Sequence, residues 1–139
     1  MEYSPDEFTV RPIGVVRSPY RTKNDAPRQG RLAPEVESKI EIFEPFRKGL
    51  GNLGEGRYII VLYWLDQAQR DTLVATPPGT TGEKPVFSTR SPNRPNPIGL
   101  CVVEVRDVRD GCITVAGLDA VDRTPVLDIK PYSPGIDCP

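Results

Sequence analysis

Apolar and polar residues alternate over short runs along most of this chain, a pattern typical of β-strands. Residues 37–43 alternate in this way around Ile40 and Ile42, as expected of a strand with one face buried. Residues 58–65, YIIVLYWL, form a continuous apolar run between glycines, which predicts a strand buried on both faces at the centre of the core. The sequence therefore predicts a protein built mainly of strands.

Several other short segments are predicted as strands from their β-branched content. Residues 8–17 contain Pro12 and Gly14, which favours an edge or bulged strand. The remaining candidates are residues 84–89, 100–108, 111–116 and 124–130. Because these strands follow one another closely, with a hairpin turn at residues 109–111, an antiparallel barrel or sandwich is favoured over βαβ units.

Polar and proline-rich segments separate the predicted strands. Residues 18–34 have the composition of a basic loop, and residues 45–53 are a candidate short helix. No internal repeat or linker divides the chain, so residues 1–139 are expected to form a single domain. The predicted fold class is mainly β, a single-domain antiparallel β-barrel with short helices and long loops.

Three glycines complete a G-x-G-x-x-G pattern at Gly49, Gly51 and Gly54. In a dinucleotide-binding protein this pattern lies between a strand and the helix that follows it. Here the glycines come after the candidate helix and lead into a strand. A flexible connection is therefore favoured over a nucleotide site.

The composition excludes several classes of protein. With 0 histidines and three cysteines that lack metal-ligand spacing, neither a metal site nor Ser-His or Cys-His catalysis is expected. The N-terminus lacks the pattern of a signal peptide and no apolar run is long enough for a membrane helix, so a cytoplasmic protein is expected. A net charge of -1 means that a nucleic-acid partner would need a local basic patch.

Residues 90–100, RSPNRPNPIGL, form the most distinctive segment. Its three prolines fix backbone angles and hold Arg90 and Arg94 at a low cost in ordering entropy. A guanidinium can bind a carboxylate or phosphate through two parallel hydrogen bonds. A rigid structural loop with solvated arginines is supported equally well by the composition alone.

Two further groups of charged residues are candidates for binding. Basic side chains in residues 18–34 surround Tyr20, a combination that can meet a phosphate backbone and stack on a base. Asp119 and Asp122 precede the last predicted strand, where carboxylates can bind an ammonium group or ribose hydroxyls. A solvated basic face and an aspartate-rich turn are the simpler explanations of the two groups.

Taken together, several segments resemble the TsaA/TrmO-like family. Residues 87–100 and 121–132 resemble its two strongest signatures, and residues 13–18 and 27–29 resemble its N-terminal ones. The similarity spans residues 10–132. The resemblance implies a mainly-β barrel that works as a dimer, uses S-adenosyl-L-methionine and methylates the N6 position of threonylcarbamoyl-adenosine in the anticodon loop of tRNA.

The same resemblance implies the positions of the functional residues. The expected cofactor-binding residues are Pro27, Arg28, Gln29, Leu65, Asp66, Arg90, Leu100, Asp122, Arg123, Thr124 and Pro125. The expected contacts to RNA are Arg21, Lys23, Arg31, Arg94, Lys130 and Tyr132. Asp66 and Asp122 are the candidate proton acceptors, because a carboxylate within hydrogen-bond reach can take the proton that the acceptor loses.

The chain departs from the family pattern at two of these positions. Asp66 stands where the family commonly has a histidine, so a role in proton transfer at this position need not carry over. Arg123 stands where the family usually has glycine, which alters the turn that closes the site. Two other functions remain open: a non-catalytic barrel that binds a nucleoside or RNA, and a methyltransferase that acts on another RNA or a small molecule. A measurement of cofactor turnover would distinguish the non-catalytic barrel from an enzyme.

Overall fold

A computed structural model describes residues 6–51 and 53–139. The strands are β1 Gly14–Arg17, β2 Glu37–Ile42, β3 Tyr58–Trp64, β4 Val74–Ala75, β5 Lys84–Pro85, β6 Ile98–Arg109, β7 Cys112–Ala116 and β8 Pro125–Pro131. The helices are three short 3₁₀ helices, Gly30–Leu32, Glu44–Leu50 and Val86–Ser88, and the α-helix α1, Pro134–Asp137. No helix in these two ranges is long and apolar enough to cross a membrane.

Six strands close into a barrel in the order β1-β2-β7-β6-β3-β8. Every pair of neighbours in it is antiparallel, and β4 and β5 form a separate two-stranded ribbon. Because the barrel is closed, each of the six strands is paired with a neighbour on both sides. The barrel therefore has no edge strand that could associate with another chain. The predicted fold class, a mainly-β antiparallel barrel with short helices, is confirmed.

The interior of the barrel is filled by alternate residues of the strands. Val16, Ile40, Val103 and Ile113 are almost completely buried there and belong to one apolar cluster. Burial of this cluster is the main favourable contribution to folding, at about 25 cal/mol per Å² of apolar surface removed from water. The predicted alternation around Ile40 is confirmed, since β2 is buried at every second residue.

The prediction that β3 is buried on both faces was wrong. Ile59, Val61 and Tyr63 point into the barrel, whereas Ile60 and Leu62 are only partly covered. Successive side chains of a barrel strand alternate between the interior and the outside. One set of side chains from this apolar run therefore lies in the core. The other set forms an apolar outer surface of the barrel.

Two other predicted strands are shorter than expected. The first begins at Gly14 rather than residue 8, because Pro12 has no N–H to donate to a ladder, and Val10 is 60% exposed. Of residues 84–89, only Lys84–Pro85 is a strand. The chain then turns into a 3₁₀ helix, in which Thr89 N–H donates to the carbonyl oxygen of Val86.

The predictions for the other elements agree more closely with the structure. The candidate helix at 45–53 is a 3₁₀ helix, Glu44–Leu50, and Asn52 lies outside the described residues. The strands predicted at 100–108, 111–116 and 124–130 are β6, β7 and β8 with their ends moved by one or two residues. The hairpin turn is confirmed, since Asp110 and Gly111 have φ of 52° and 75°, as a two-residue type I′ turn requires.

The antiparallel order divides the connections between two ends of the barrel. Val15 of β1 pairs with Pro125 of β8, and Trp64 of β3 pairs with Ile98 of β6, so these strand termini share one end. The connecting segments at this end, called the loop end below, are residues 18–36, 65–97 and 117–124. Most of the predicted site residues lie in these segments, which converge although they are far apart in sequence.

Candidate functional site

The proline-rich segment is held in place by its own arginine. Arg94 Nη1 donates to the carbonyl oxygens of Thr89 and Ser91 at 3.0 and 2.9 Å, and Nη2 donates to that of Val86 at 3.0 Å. The planar guanidinium suits this arrangement because its donors point in fixed directions. Arg94 thus organises the segment around Arg90, and its predicted contact with RNA remains a prediction.

A second arginine ties the same segment to the barrel. Arg70 Nε donates to the carbonyl oxygen of Pro95 at 2.9 Å, and its guanidinium lies 5.1 Å from the centre of the Trp64 ring. Such a cation–π contact contributes about 0.5–1 kcal/mol at an exposed site. No motif in the sequence distinguishes Arg70, which therefore went unpredicted.

The segment before β8 is fastened to the start of the basic loop. Ser18 N–H donates to Asp122 Oδ1 at 3.1 Å, and Asp122 N–H donates to the carbonyl oxygen of Tyr20 at 2.7 Å. Ser18 Oγ also donates to the carbonyl oxygen of Ala120 at 2.9 Å. Asp122 is therefore fixed in position, with Oδ1 bonded to Ser18, the first residue of the loop that also carries residues 27–29.

Arg123 has a left-handed backbone conformation, with φ of 73°. This region costs an L-residue about 1–2 kcal/mol, whereas glycine adopts it freely. The conformation gives a physical reason for the glycine that the family pattern has at this position. Arg123 is retained there by the surrounding turn, in which its N–H donates to the carbonyl oxygen of Val16 at 2.8 Å.

The PRQ motif at residues 27–29 leads directly into Gly30, which lies against two other parts of the site. A Cβ at Gly30 would stand 1.8 Å from the carbonyl oxygen of Gly117 and 2.8 Å from Cys101 Sγ. The pairing of β6 with β7 starts only at Glu104, so the first half of β6 is open to this approach. The close packing brings residues 27–29 beside β6 and the segment 117–124.

A cluster of buried polar side chains lies beneath this contact. Tyr63, which is 4% exposed, donates its hydroxyl hydrogen to Asp119 Oδ1. Burial raises the pKa of Asp119, while its hydrogen bond with Tyr63 lowers it in part. Burial and the neighbouring Asp119 raise the pKa of the Cys101 thiol to about 12, so the thiol is protonated near neutral pH.

The structure brings most of the predicted residues to the loop end of the barrel. Those with exposed side chains there are Arg21, Lys23, Arg28, Gln29, Arg31, Asp66, Arg90, Leu100 and Arg123. Two predicted RNA contacts lie elsewhere: Lys130 pairs with Ile60, and Tyr132 N–H donates to the carbonyl oxygen of Tyr58, at the far end of β8. A strand of this length separates the two groups by roughly 20 Å.

Two hollows mark the surface of the barrel. One of about 390 Å³ adjoins Asp122 at the loop end, with Ser18 and Ser38 in its lining. The other, of about 480 Å³, lies at the opposite end between Phe46 and Ile129. Of the predicted cofactor residues, Asp122 alone lines one of these two hollows.

A family model described as the tRNA-methyltransferase O N-terminal domain matches residues 15–138. The chain belongs to this family. An S-adenosyl-L-methionine-binding protein from Archaeoglobus fulgidus is 57% identical to it over 129 residues, which cover 93% of this chain and 92% of the relative. The predicted family is confirmed, and so, at the level of the family, is the predicted cofactor.

Solved structures of the tRNA-methyltransferase O family have the same fold. A crystal structure of TrmO from Pseudomonas aeruginosa matches with a TM-score of 0.80 and 34% identity, over 96% of this chain and 59% of that one. A second TrmO crystal structure matches with a TM-score of 0.79 and 35% identity, over 99% and 60%. This chain spans about 60% of the solved TrmO chain, so the match covers one part of that protein.

Proposed function

We propose that this chain is a cytoplasmic enzyme that transfers the methyl group of S-adenosyl-L-methionine to N6 of threonylcarbamoyl-adenosine in the anticodon loop of tRNA. Residues 1–139 act in this proposal as a single barrel domain that forms a homodimer. The observation that carries it is the convergence at the loop end of residues 27–29, Arg90 and Asp122. These residues belong to separate signatures in the sequence of a chain from a methyltransferase family.

The side chains at the loop end fit the chemical groups of S-adenosyl-L-methionine. The guanidinium groups of Arg28 and Arg90 suit its carboxylate. The carboxylates of Asp66 and Asp122 suit its ammonium group or ribose hydroxyls, and the Gln29 amide suits the edge of its adenine. Predicted contacts from Leu65, Leu100, Arg123, Thr124 and Pro125 complete the proposed site.

The proposed reaction is a displacement in which the protein mainly orients the reactants. The bound cofactor supplies a methyl group attached to a positively charged sulfur. Arg90 and residues 27–29 hold it in one orientation, and the rigid proline-rich segment keeps that geometry without further ordering. The acceptor nitrogen also loses a proton, for which the sequence predicts Asp66 or Asp122 as acceptor.

The basic side chains that frame the site provide the proposed contact with tRNA. Arg21, Lys23 and Arg31 are exposed at the loop end and come from the same segment as the PRQ motif. Lysine and arginine contacts to phosphates release counterions, so the affinity for tRNA should fall steeply with added salt. Lys130 and Tyr132 can take part only if the RNA also follows the barrel wall or a second subunit presents them.

An apolar strip on the barrel wall supports the proposed homodimer. On β6, Ile98, Leu100 and Val102 are 47%, 46% and 41% exposed, and they pair with outward residues of β3 that include Ile60 and Leu62. A contiguous apolar surface of this kind on a small protein marks an interface. Leu100 belongs to both the strip and the predicted cofactor site. A second copy on this face would therefore cover part of the proposed cofactor site.

Formation of S-adenosylhomocysteine tests the proposal against the alternatives. The protein is incubated with cofactor and tRNA that either carries or lacks the threonylcarbamoyl group. Product formed only with the modified tRNA supports the proposal. Cofactor binding by calorimetry without any turnover would support the alternative of a non-catalytic binding barrel, and turnover with both tRNAs would indicate a different acceptor.

A further inference from the structure

Asp119 lies where the connecting segment 117–124 meets β3, β6 and Gly30. Its own segment, residues 117–124, places it over the barrel mouth, where Tyr63 of β3 donates to its Oδ1. The thiol of Cys101 on β6 and the main chain of Gly30 also lie beside its carboxyl group. The carboxyl group is largely buried yet remains partly accessible to solvent.

The residues that surround the Tyr63–Asp119 pair are closely packed. A Cβ at Gly99 would stand 2.2 Å from Cε2 of Tyr63, so the ring packs directly over that glycine. Gly30 is equally confined by Gly117 and Cys101. The Tyr63–Asp119 pair is therefore a closely packed polar group beside Gly30, the residue that follows the PRQ motif.

The two carboxylates predicted from the sequence are less suited to accept a proton. Asp66 is exposed to water just after β3. Asp122 already accepts a hydrogen bond from Ser18 N–H at 3.1 Å and holds two segments together. A general base needs a position shielded from bulk water and a carboxylate that binds a proton more tightly than usual. Asp119 has both, since it is largely buried and burial raises its pKa.

We infer that Asp119 accepts the proton that leaves the acceptor nitrogen during methyl transfer, and that Tyr63 is the positioning residue that holds its carboxylate. This inference rests on the proposed function. The nitrogen forms a bond to the methyl carbon, the carbon–sulfur bond breaks with its electron pair remaining on sulfur, and the nitrogen's proton moves to Asp119. The neutral acid then returns its proton to solvent.

The groups that face Asp119 determine how its proton affinity responds to substitution. Burial raises its pKa, and the hydrogen bond from Tyr63 lowers it. Tyr20 and Cys101 face it as neutral groups, since the pKa of each is raised by burial and by the charge of Asp119. Burial and the charge of Asp119 raise the pKa of Tyr63, and the charge of Arg90 lowers it in part. Removal of the Tyr63 hydroxyl should therefore raise the pKa of Asp119 further.

The test compares Asp119→Asn, Tyr63→Phe and the control Asp71→Asn, which alters an exposed carboxylate at the same end. In the free protein, carbon-13 NMR should show one aspartate that titrates above the ordinary range. That signal should be absent in Asp119→Asn, displaced to higher pH in Tyr63→Phe and unchanged in Asp71→Asn. For all three variants, calorimetry should give cofactor affinities within about threefold of wild type.

Single-turnover methyl transfer to tRNA completes the test. Asp119→Asn should lose about 100-fold or more in rate, the usual contribution of a general base. In Tyr63→Phe the acid limb of the pH–rate profile should move to higher pH together with the NMR titration. A wild-type rate in Asp119→Asn, or an acid limb unmoved in Tyr63→Phe, would overturn the inference. No transfer by the wild-type protein would instead show that the proposed function is wrong.

Discussion

Gly30 packs so closely against Gly117 that a Cβ on residue 30 would stand 1.8 Å from the carbonyl oxygen of Gly117. The contact joins two segments that the sequence separates by most of the chain. One carries the PRQ motif, and the other carries Asp119 and Asp122. The two segments that carry these predicted cofactor residues are therefore joined by a backbone approach that only glycine permits.

Substitution of Gly30 by alanine tests this contact. Because the obstructing atom belongs to the main chain, one of the segments must move, at a cost of about 1–3 kcal/mol. We expect a lower midpoint of thermal unfolding and roughly tenfold weaker cofactor binding by calorimetry. The control is Gly49→Ala, which has open space around it and should bind the cofactor as wild type does. Equal affinities for the two variants would show that the contact does not shape the site.

Replacement of Arg123 by glycine should stabilise the protein. The left-handed conformation at φ of 73° would then be adopted without strain, with a gain of about 1 kcal/mol. Differential scanning calorimetry should show a midpoint higher by a few degrees. Arg109→Gly is the matched control, since it places glycine in a strand and should lower the midpoint. A lower midpoint for Arg123→Gly would mean that its side chain makes contacts worth more than the strain.

The salt dependence of tRNA binding should identify the basic side chains that contact phosphate. A variant with alanine at Arg21, Lys23 and Arg31 should reduce the slope of log affinity against log salt by about 2 to 3. The control changes Lys48 and Arg57, which are exposed at the opposite end, to alanine. If both variants reduce the slope equally, binding is diffuse and the loop end is not the RNA surface.

A charge placed on the apolar strip should prevent dimer formation. Val102 is 41% exposed at one end of the strip, and an aspartate there would be buried without a partner in any dimer that uses this face. Sedimentation should show a dimer for wild type and a monomer for Val102→Asp. Phe87→Asp alters a residue that is 79% exposed outside the strip and should leave the dimer intact. A dimeric Val102→Asp protein would place the interface elsewhere.

The stability of the protein should depend on pH through Asp119. Its pKa is raised by burial above the value of about 3.9 in the unfolded chain. The carboxyl group therefore contributes stability that is fully present below about pH 3.9 and is lost as the pH rises through the folded pKa. Denaturant unfolding at several pH values should show that Asp119→Asn lacks this loss and is at least as stable as wild type at pH 7. A less stable variant at pH 7 would indicate a mainly structural role for Asp119.

Local patterns predicted the elements whose structure depends on neighbouring residues. The alternation around Ile40 and the Asp110-Gly111 turn fall in this class, because side-chain alternation and a positive φ are local properties. How far the strand extends within residues 84–89 depends instead on Arg94. Its guanidinium donates hydrogen bonds to carbonyl oxygens of that segment. A contact with a side chain further along the chain leaves no periodic signal.

The candidate site was predicted in part for the same reason. Residues 27–29, Arg90 and Asp122 were predicted because they lie in recognisable motifs. The pairing of Tyr63 with Asp119 was not, since the two residues are 56 positions apart and each has an ordinary local context. Only the closure of the barrel, which places the end of β3 beneath residues 117–124, brings them together.

The most direct test of the proposed function is to locate the methyl group itself. Methyl-labelled S-adenosyl-L-methionine and the protein are incubated with total tRNA from a strain that lacks the activity, and the nucleosides are separated by mass spectrometry. If the proposed function is right, label appears on threonylcarbamoyl-adenosine, at its N6 position, and on no other nucleoside. Label on a different nucleoside, or none although the cofactor binds, would contradict it.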